Sequence, residues 1–325
     1  MQSPCREQGE CIMVVGFIGL GTMGRNAALN VRRAGFEMVV YDIRPESMDA
    51  LTVAGAKPAT SPADVLARSD IVVTMVFGPK EIEQVVRGEN GFLTASCAGK
   101  YWVDMTTSGP KLMRALAAEF QAKGGGPVDA PVTGSVDAAI RGDMPMFVGG
   151  TDADVEAVRP VIEAMGELRR VGPYGNGYVA KLVNNQLWKI HAAAIGEAMV
   201  TAKLAGLEPD VWWRVMKGGA ADSFVLQHDV PSIFAGHYDP SFPIALCLKD
   251  LGLIEELMAE TGTRNELTRA THDRFKLAGE RYGVGAGEMT VCKVIEDDAN
   301  VELRVAGDWL APWDVVHAAD SKTGT

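Results

Sequence analysis

The chain is poor in cysteine, in histidine and in net positive charge, and each shortage removes a class of function. Its five cysteines (Cys5, Cys11, Cys97, Cys247 and Cys292) are odd in number and scattered without a CxxC pair. Neither a disulfide framework nor a cysteine zinc site is expected from them. The five histidines show no HxH or HExxH spacing, so no metal is expected. A net charge of −11 argues against a nucleic-acid partner, because phosphate binding needs a basic footprint. No apolar run approaches the ~18 residues of a membrane-spanning helix, so no membrane partner is expected. Residues 1–12 carry Arg6, Glu7 and Glu10 and no apolar core. They read as an N-terminal tail and not a secretory signal, with Met1 or Met13 as the start and a cytoplasmic location expected.

What is present is a globular chain of two domains. At 325 residues it exceeds one ordinary core, and 47% hydrophobic with 22% charged residues is the balance of a folded protein. From residue 13 to 174, apolar runs alternate with helical stretches. The runs are 13–18, 38–41, 71–76, 101–104 and 146–148, and Pro45, Pro62, Pro79 and Pro110 stand where first helical turns are expected. This alternation predicts an α/β domain built on a parallel sheet. After Gly172-Pro173-Tyr174-Gly175-Asn176-Gly177 the pattern turns helical. A long buried helix is expected from Tyr178 to about Ala205, leading into an all-helical domain over 175–305 with further helices near 209–217, 222–234, 244–260, 265–281 and 288–299. Residues 306–325 read as a C-terminal tail, in which Trp309 and Trp313 are candidates for packing.

Gly19-Leu20-Gly21-Thr22-Met23-Gly24 is a GxGxxG loop placed directly after the first strand and opening a helix. Glycine there permits the tight turn, the approach of a pyrophosphate to backbone and the close packing of helix on strand. The helix start offers N–H groups to phosphate. Asp42 ends the second strand 23 positions after Gly19, where a carboxylate would bond the ribose 2′-hydroxyl and repel a 2′-phosphate. The competing reading of Asp42 is a turn or capping residue. NAD is therefore the expected cofactor, with NADP possible because Arg44 stands two residues on. These features make the first domain Rossmann-type.

Four motifs downstream, together with the glycine loop, resemble the β-hydroxyacid dehydrogenase family over roughly residues 13–300. Asp104-Met105-Thr106-Thr107-Ser108 is similar to a family segment whose threonine, here Thr107, lies beside the cofactor. Asp129-Ala130-Pro131-Val132-Thr133-Gly134-Ser135 is similar to the substrate loop, with Ser135 where a second glycine is usual. Gly175-x-Gly177-x-x-x-Lys181-x-x-x-Asn185 resembles the catalytic signature, and Leu248-Lys249-Asp250-Leu251 resembles a motif of the helical domain. The resemblance implies that Lys249 approaches the cofactor, that Asp250 serves the substrate site, and that Val76 and Phe77 take the place of a cofactor-contacting Leu-Pro pair. It also implies a small acid substrate, while the long buried-looking helix and the apolar helical domain suggest a homodimer or homotetramer.

The residues make chemical sense beside the family name. Lys181 and Asn185 are four apart on the long helix and share a face. A lysine shielded from water has its pKa lowered, so it can take a hydroxyl proton as hydride leaves the carbon and return it in reduction. Asn185 would hold the lysine or the substrate hydroxyl. The alternative for Lys181 is a solvated surface lysine. Thr133, Gly134 and Ser135 offer hydroxyls and N–H groups suited to a carboxylate, against the reading of an ordinary turn. Lys249 and Asp250 could equally be a solvated pair on a helix. Trp188 could wall a substrate pocket or belong to a core, Trp212 and Trp213 read as core, and His191 as an interior histidine. The expected function is NAD-dependent hydride transfer to or from a small β-hydroxyacid or its semialdehyde. Its rivals are an imine-reductase-like NADPH enzyme, against which Lys181 speaks, and a dinucleotide-binding module without turnover.

Overall fold

The computed structural model describes residues 13–310. The tail 1–12 with Cys5 and Cys11, and the stretch from residue 311 with Trp313, lie outside the described residues. The chain forms two compact units, Met1–Lys181 and Leu182–Thr325. The division falls inside the long helix Asn176–Leu204, so the first turns of that helix belong with the sheet.

Among its described residues the first unit holds eight strands: β1 (Val14–Ile18), β2 (Glu37–Tyr41), β3 (Lys57–Pro58), β4 (Ile71–Thr74), β5 (Tyr101–Asp104), β6 (Gly126–Asp129), β7 (Met144–Gly149) and β8 (Gly166–Gly172). They lie in one sheet in the order β3-β2-β1-β4-β5-β6-β7-β8. Neighbours run parallel except β6 and β7, which meet antiparallel through Asp129 and Gly149, so the sheet is mostly rather than wholly parallel. The central strands are buried on both faces, which is why they read as continuous apolar runs. Ile71 and Val73 join one hydrophobic cluster with Val15, Phe17 and Val103. Val72 joins another with Val39, Trp102 and Phe120, as the two-residue alternation of a strand requires. Pro62, Pro79 and Pro110 open their helices at the first position, where the missing N–H has no intrahelical partner to lose. Pro45 opens only a short 3-10 turn, Pro45–Met48.

Strand β4 ends at Thr74, short of the expected Val76, and Val76 and Phe77 lie in the loop that follows. The order reverses at β1, which has β2 on one side and β4 on the other. In an open sheet of this kind, ligands bind outside the carboxyl ends of the strands at that reversal.

The second unit is helical. After the long helix come Pro209–Met216, Val230–Ala235, Ile244–Thr261, Glu266–Tyr282 and Thr290–Ala299, packed around Trp212, Phe234, Cys247, Phe275 and Val291. The helix expected at 222–234 is divided: a π-helical turn, Val225–Asp229, precedes Val230–Ala235, and Pro231, which has no N–H to donate, sits at the join. The long helix differs from the buried rod expected. Leu182, Asn185, Lys189, Ala192 and Met199 are buried on one face, while Val183 and Leu187 stand 45% and 53% exposed on another. His191 is exposed and not interior. Trp212 is buried, and Trp213 packs edge-on against Phe234 and Trp309, so residues at the start of the expected C-terminal tail are part of the helical core.

Candidate active site

The glycine loop leaves β1 with Gly19 at φ +91°, where a Cβ would strike the Met75 carbonyl. A Cβ on Gly21 would meet no described atom within 4 Å, so the fold itself does not demand glycine there. The helix Thr22–Arg33 begins without a side-chain cap and without an acid in its first turn. That leaves its N-terminal N–H groups and dipole to an anion, and the loop fits a dinucleotide pyrophosphate.

Asp42 is buried at the end of β2, and its carboxylate clasps this loop. Oδ2 accepts from the Leu20 N–H at 2.7 Å, and Oδ1 accepts from the Arg44 N–H at 2.9 Å. The Arg44 side chain lies 3.7 Å from Oδ1 with 62% of its surface exposed. Asp42 thus serves as a turn residue whatever it does for a ribose. Val76 donates its N–H to Thr106 Oγ1 at 3.3 Å, Phe77 is exposed, and Thr107 is half-buried beside the fully buried Thr106.

The loop after β6 is held to β7 by the Thr133 N–H, which donates to the Pro145 carbonyl. Gly134 has φ +103° and Ser135 φ +70°. Ser135 therefore keeps the left-handed backbone of a glycine position although it carries a side chain, which costs ~1–2 kcal/mol. All three residues are half-buried.

Two carboxylates beneath this edge had no role in the sequence reading. Asp104 and Asp129 end β5 and β6 and are register partners across the two strands. Both are fully buried. Asp129 accepts from the Gly175 N–H at 3.1 Å and the Tyr178 N–H at 3.2 Å. Asp104 accepts from Thr74 Oγ1 at 2.5 Å, Tyr178 OH at 2.8 Å and the Thr106 N–H at 3.2 Å. Burial pushes the Asp104 carboxyl up to about 7 and the Asp129 carboxyl up to about 6, against the opposing pull of these hydrogen bonds. Lys181 follows Tyr178 by three residues on the same helix and is half-buried.

In the helical unit, Asn185, Lys249 and Asp250 come together. Asn185 Nδ2 donates to Asp250 Oδ2 at 2.7 Å, and Lys249 Nζ lies 3.2 Å from Asp250 Oδ1. Asp250 is buried, so the solvated-pair reading of Lys249 and Asp250 fails for the aspartate. The group that sequence reasoning missed is Lys189. It lies one turn beyond Asn185, is 2% exposed, and places Nζ 3.3 Å from Asp250 Oδ2. Burial lowers its affinity for a proton, but Asp250, Cys247 and Glu288 outweigh that and hold it raised. The signal was the i,i+4,i+8 spacing of Lys181, Asn185 and Lys189. Trp188 Nε1 donates to Asp229 Oδ2 at 2.9 Å, which accounts for it as a packed, hydrogen-bonded residue.

Among the described residues, one group has the donors for a cation: the buried Asp229, Asp239 and Glu288, whose oxygens lie within 4.8 Å of one another. His228 and Trp188 bond Asp229, and Ser241 bonds Asp239 Oδ1, while the buried Asp239 Oδ2 has no hydrogen-bond partner among the described residues. Burial pushes the Cys97, Cys247 and Cys292 thiols up, so none is a ready nucleophile.

Comparisons with known proteins divide along the same line as the motifs. Residues 14–177 match the NAD binding domain of 6-phosphogluconate dehydrogenase, and residues 175–295 match the NAD-binding domain of NADP-dependent 3-hydroxyisobutyrate dehydrogenase. The chain is 36% identical to the 2-hydroxy-3-oxopropionate reductase of Escherichia coli, over 90% of this chain and 100% of that one. It is 32% identical to the L-threonate dehydrogenase of Cupriavidus necator, over 86% of this chain and 95% of that one. Among solved structures, the Mycobacterium tuberculosis 3-hydroxyisobutyrate dehydrogenase with L-serine superposes with a TM-score of 0.80 at 26% identity, over 88% of this chain and 99% of that one.

Proposed function

This chain belongs to the β-hydroxyacid dehydrogenase family of NAD(P)-dependent oxidoreductases, and we propose that it moves hydride between NAD and a small β-hydroxyacid or its semialdehyde, with Lys181 as general acid–base. The nicotinamide, when bound, supplies the hydride chemistry. Lys181 takes the hydroxyl proton in oxidation and returns it in reduction. Asn185 fixes the substrate hydroxyl or the lysine: Asp250 takes the Asn185 amide N–H, and its carbonyl oxygen, which already accepts from Asn184 Nδ2 at 3.1 Å, keeps its second lone pair to accept a further donor. Thr133, Gly134 and Ser135 bind the acid group through hydroxyls and backbone N–H groups. The observation that carries this reading is the order imposed on Asn185: one turn beyond Lys181 on a continuous helix, its amide is locked at 2.7 Å by a buried aspartate.

A panel of 3-hydroxyacids and their aldehydic acids, run with NAD and NADP side by side, tests the proposal. Turnover of at least one acid or aldehyde supports it; no cofactor oxidation or reduction with any member overturns it. NAD is the favoured cofactor because Asp42 stands where a 2′-phosphate would be repelled. Asp42→Asn should raise the KM for NAD and narrow the preference over NADP. Equal use of both cofactors by the unaltered protein would assign the choice to Arg44. The working assembly is a homodimer or homotetramer, supported by the exposed Val183 and Leu187 on one helix. A monomer in sedimentation at micromolar concentration contradicts it.

A further inference from the structure

We infer that Asp129 and Asp104 position Lys181 by clamping, from the ends of two adjacent strands, the first turn of the helix that carries it. The inference rests on the reading of Lys181 as proton carrier and adds the residues that hold it in place.

A helix start leaves its first N–H groups without intrahelical acceptors, and a serine, threonine, aspartate or asparagine beside it normally supplies one. Here Asn176 does not. Its side-chain amide donates instead to the Val171 carbonyl at 3.1 Å. The acceptor is Asp129, 46 residues before Gly175 in the chain, which takes the N–H groups of Gly175 and Tyr178 on its two oxygens and a further one from Gly177. A Cβ on Gly177 would stand 2.6 Å from Asp129 Oδ2, so this approach needs glycine at 177. The positive end of the helix dipole adds to the grip on a negative group. Asp104, paired in register with Asp129, takes the hydroxyl of Tyr178 from the neighbouring strand. Tyr178 is thus held twice, by its N–H to β6 and its OH to β5. That fixes both the height and the rotation of the helical turn.

Lys181 lies three residues on, stacked over the face that carries Tyr178. A rotation or slide of the clamped turn would carry the ammonium with it. Proton transfer demands hydrogen-bond reach, and a misplacement of about 1 Å can cost ~100-fold in rate. The phosphate loop and Asp42 lie on other elements, so the hold on the pyrophosphate and ribose does not depend on Tyr178 or Asp129.

The test is a pair of variants measured alone and in a Lys181→Ala background, with NAD and the best acid of the substrate panel. Asp129→Asn replaces one accepting oxygen by an amide that confronts the helix N–H groups. Tyr178→Phe deletes only the hydroxyl tie to Asp104 and keeps the ring, so it carries the test if Asp129→Asn does not fold. The expected losses in kcat are ~100-fold for Asp129→Asn and ~10-fold for Tyr178→Phe, with NADH affinity unchanged in a fluorescence titration. In the Lys181→Ala background each should cost less than about twofold, because residues that act through one group are not additive. Full multiplication of the losses in that background, or wild-type kcat in both single variants, overturns the clamp. Wild-type turnover in Lys181→Ala alone removes the proton-carrier reading itself, a different result read from a different protein.

Discussion

At the carboxyl edge of the sheet, Asp104 and Asp129 are buried against N–H groups and hydroxyls, whereas in the helical unit Asp250 is buried against Lys189 and Lys249. Both solutions set buried polar groups against the carboxylates, but they differ in charge. At the sheet edge, neutral donors only partly offset desolvation, and both carboxyls are pushed up, Asp104 furthest. In the helical unit a cation shares the cost, so removing either partner strands the other. The sheet edge can therefore be neutralised gently, while the helical cluster cannot be halved.

The largest effect that would break this contrast is in the helical unit. Lys189→Met should lower stability by about 3–5 kcal/mol, because it leaves Asp250, Glu288 and their neighbours without their buried cation. Adding Asp250→Asn should recover part of that loss in chemical denaturation. A single variant that unfolds at the wild-type midpoint would show that Lys249 alone compensates Asp250.

The sheet edge should answer through pH. The Asp104 carboxyl in the folded chain titrates at about 7 against an ordinary value of 3.8. A raised pKa favours folding while the group is protonated, so this contribution is complete below the ordinary value and is lost as pH rises through about 7. Asp104→Asn mimics the protonated group and should gain thermal stability relative to wild type between pH 4 and pH 8, an interval of roughly the size of the shift. A difference that stays flat across that range would mean that the carboxyl ionises normally in place.

How much of this could be read from the chain depended on distance along it. The glycine loop, Asp42 and the central strands were legible because their chemistry lies within a few residues and a buried parallel strand is a continuous apolar run. β3, β6 and β8 were not. β3 has two residues, β6 begins in a run of glycines, and β8 is a half-exposed strand rich in charge, Gly166-Glu167-Leu168-Arg169-Arg170. Asn185 and Asp250 were each legible as motif members, but their separation of 65 positions hid their bond. Lys189 is legible only as the third member of the i,i+4,i+8 row with Lys181 and Asn185, since nothing near it in sequence marks the carboxylate it meets. The same separation hid the grip of Asp129 and Asp104 on Tyr178. His191 stands exposed for the converse reason: a helix apolar on most sides is buried on only one of them.

The smallest effect concerns Ser135. Its left-handed backbone is strained for a residue with a Cβ, and Ser135→Gly removes that strain while loosening the unfolded chain. A net gain of about 0.5 kcal/mol is expected in denaturant midpoint, with a higher KM for the acid if the hydroxyl binds it. Destabilisation with unchanged KM would make Ser135 a structural residue of the loop.

The central claim, that Lys181 carries the proton, is tested most directly by the pH dependence of kcat in the oxidative direction for the wild type, Lys181→Ala and Lys181→Arg. The wild-type rate should rise as the lysine deprotonates. Both variants should lose ~10²- to 10⁴-fold and that rising limb, with cofactor affinity kept, since a guanidinium retains charge but does not release its proton near neutral pH. Near-normal turnover with the wild-type pH profile in Lys181→Ala would contradict the account.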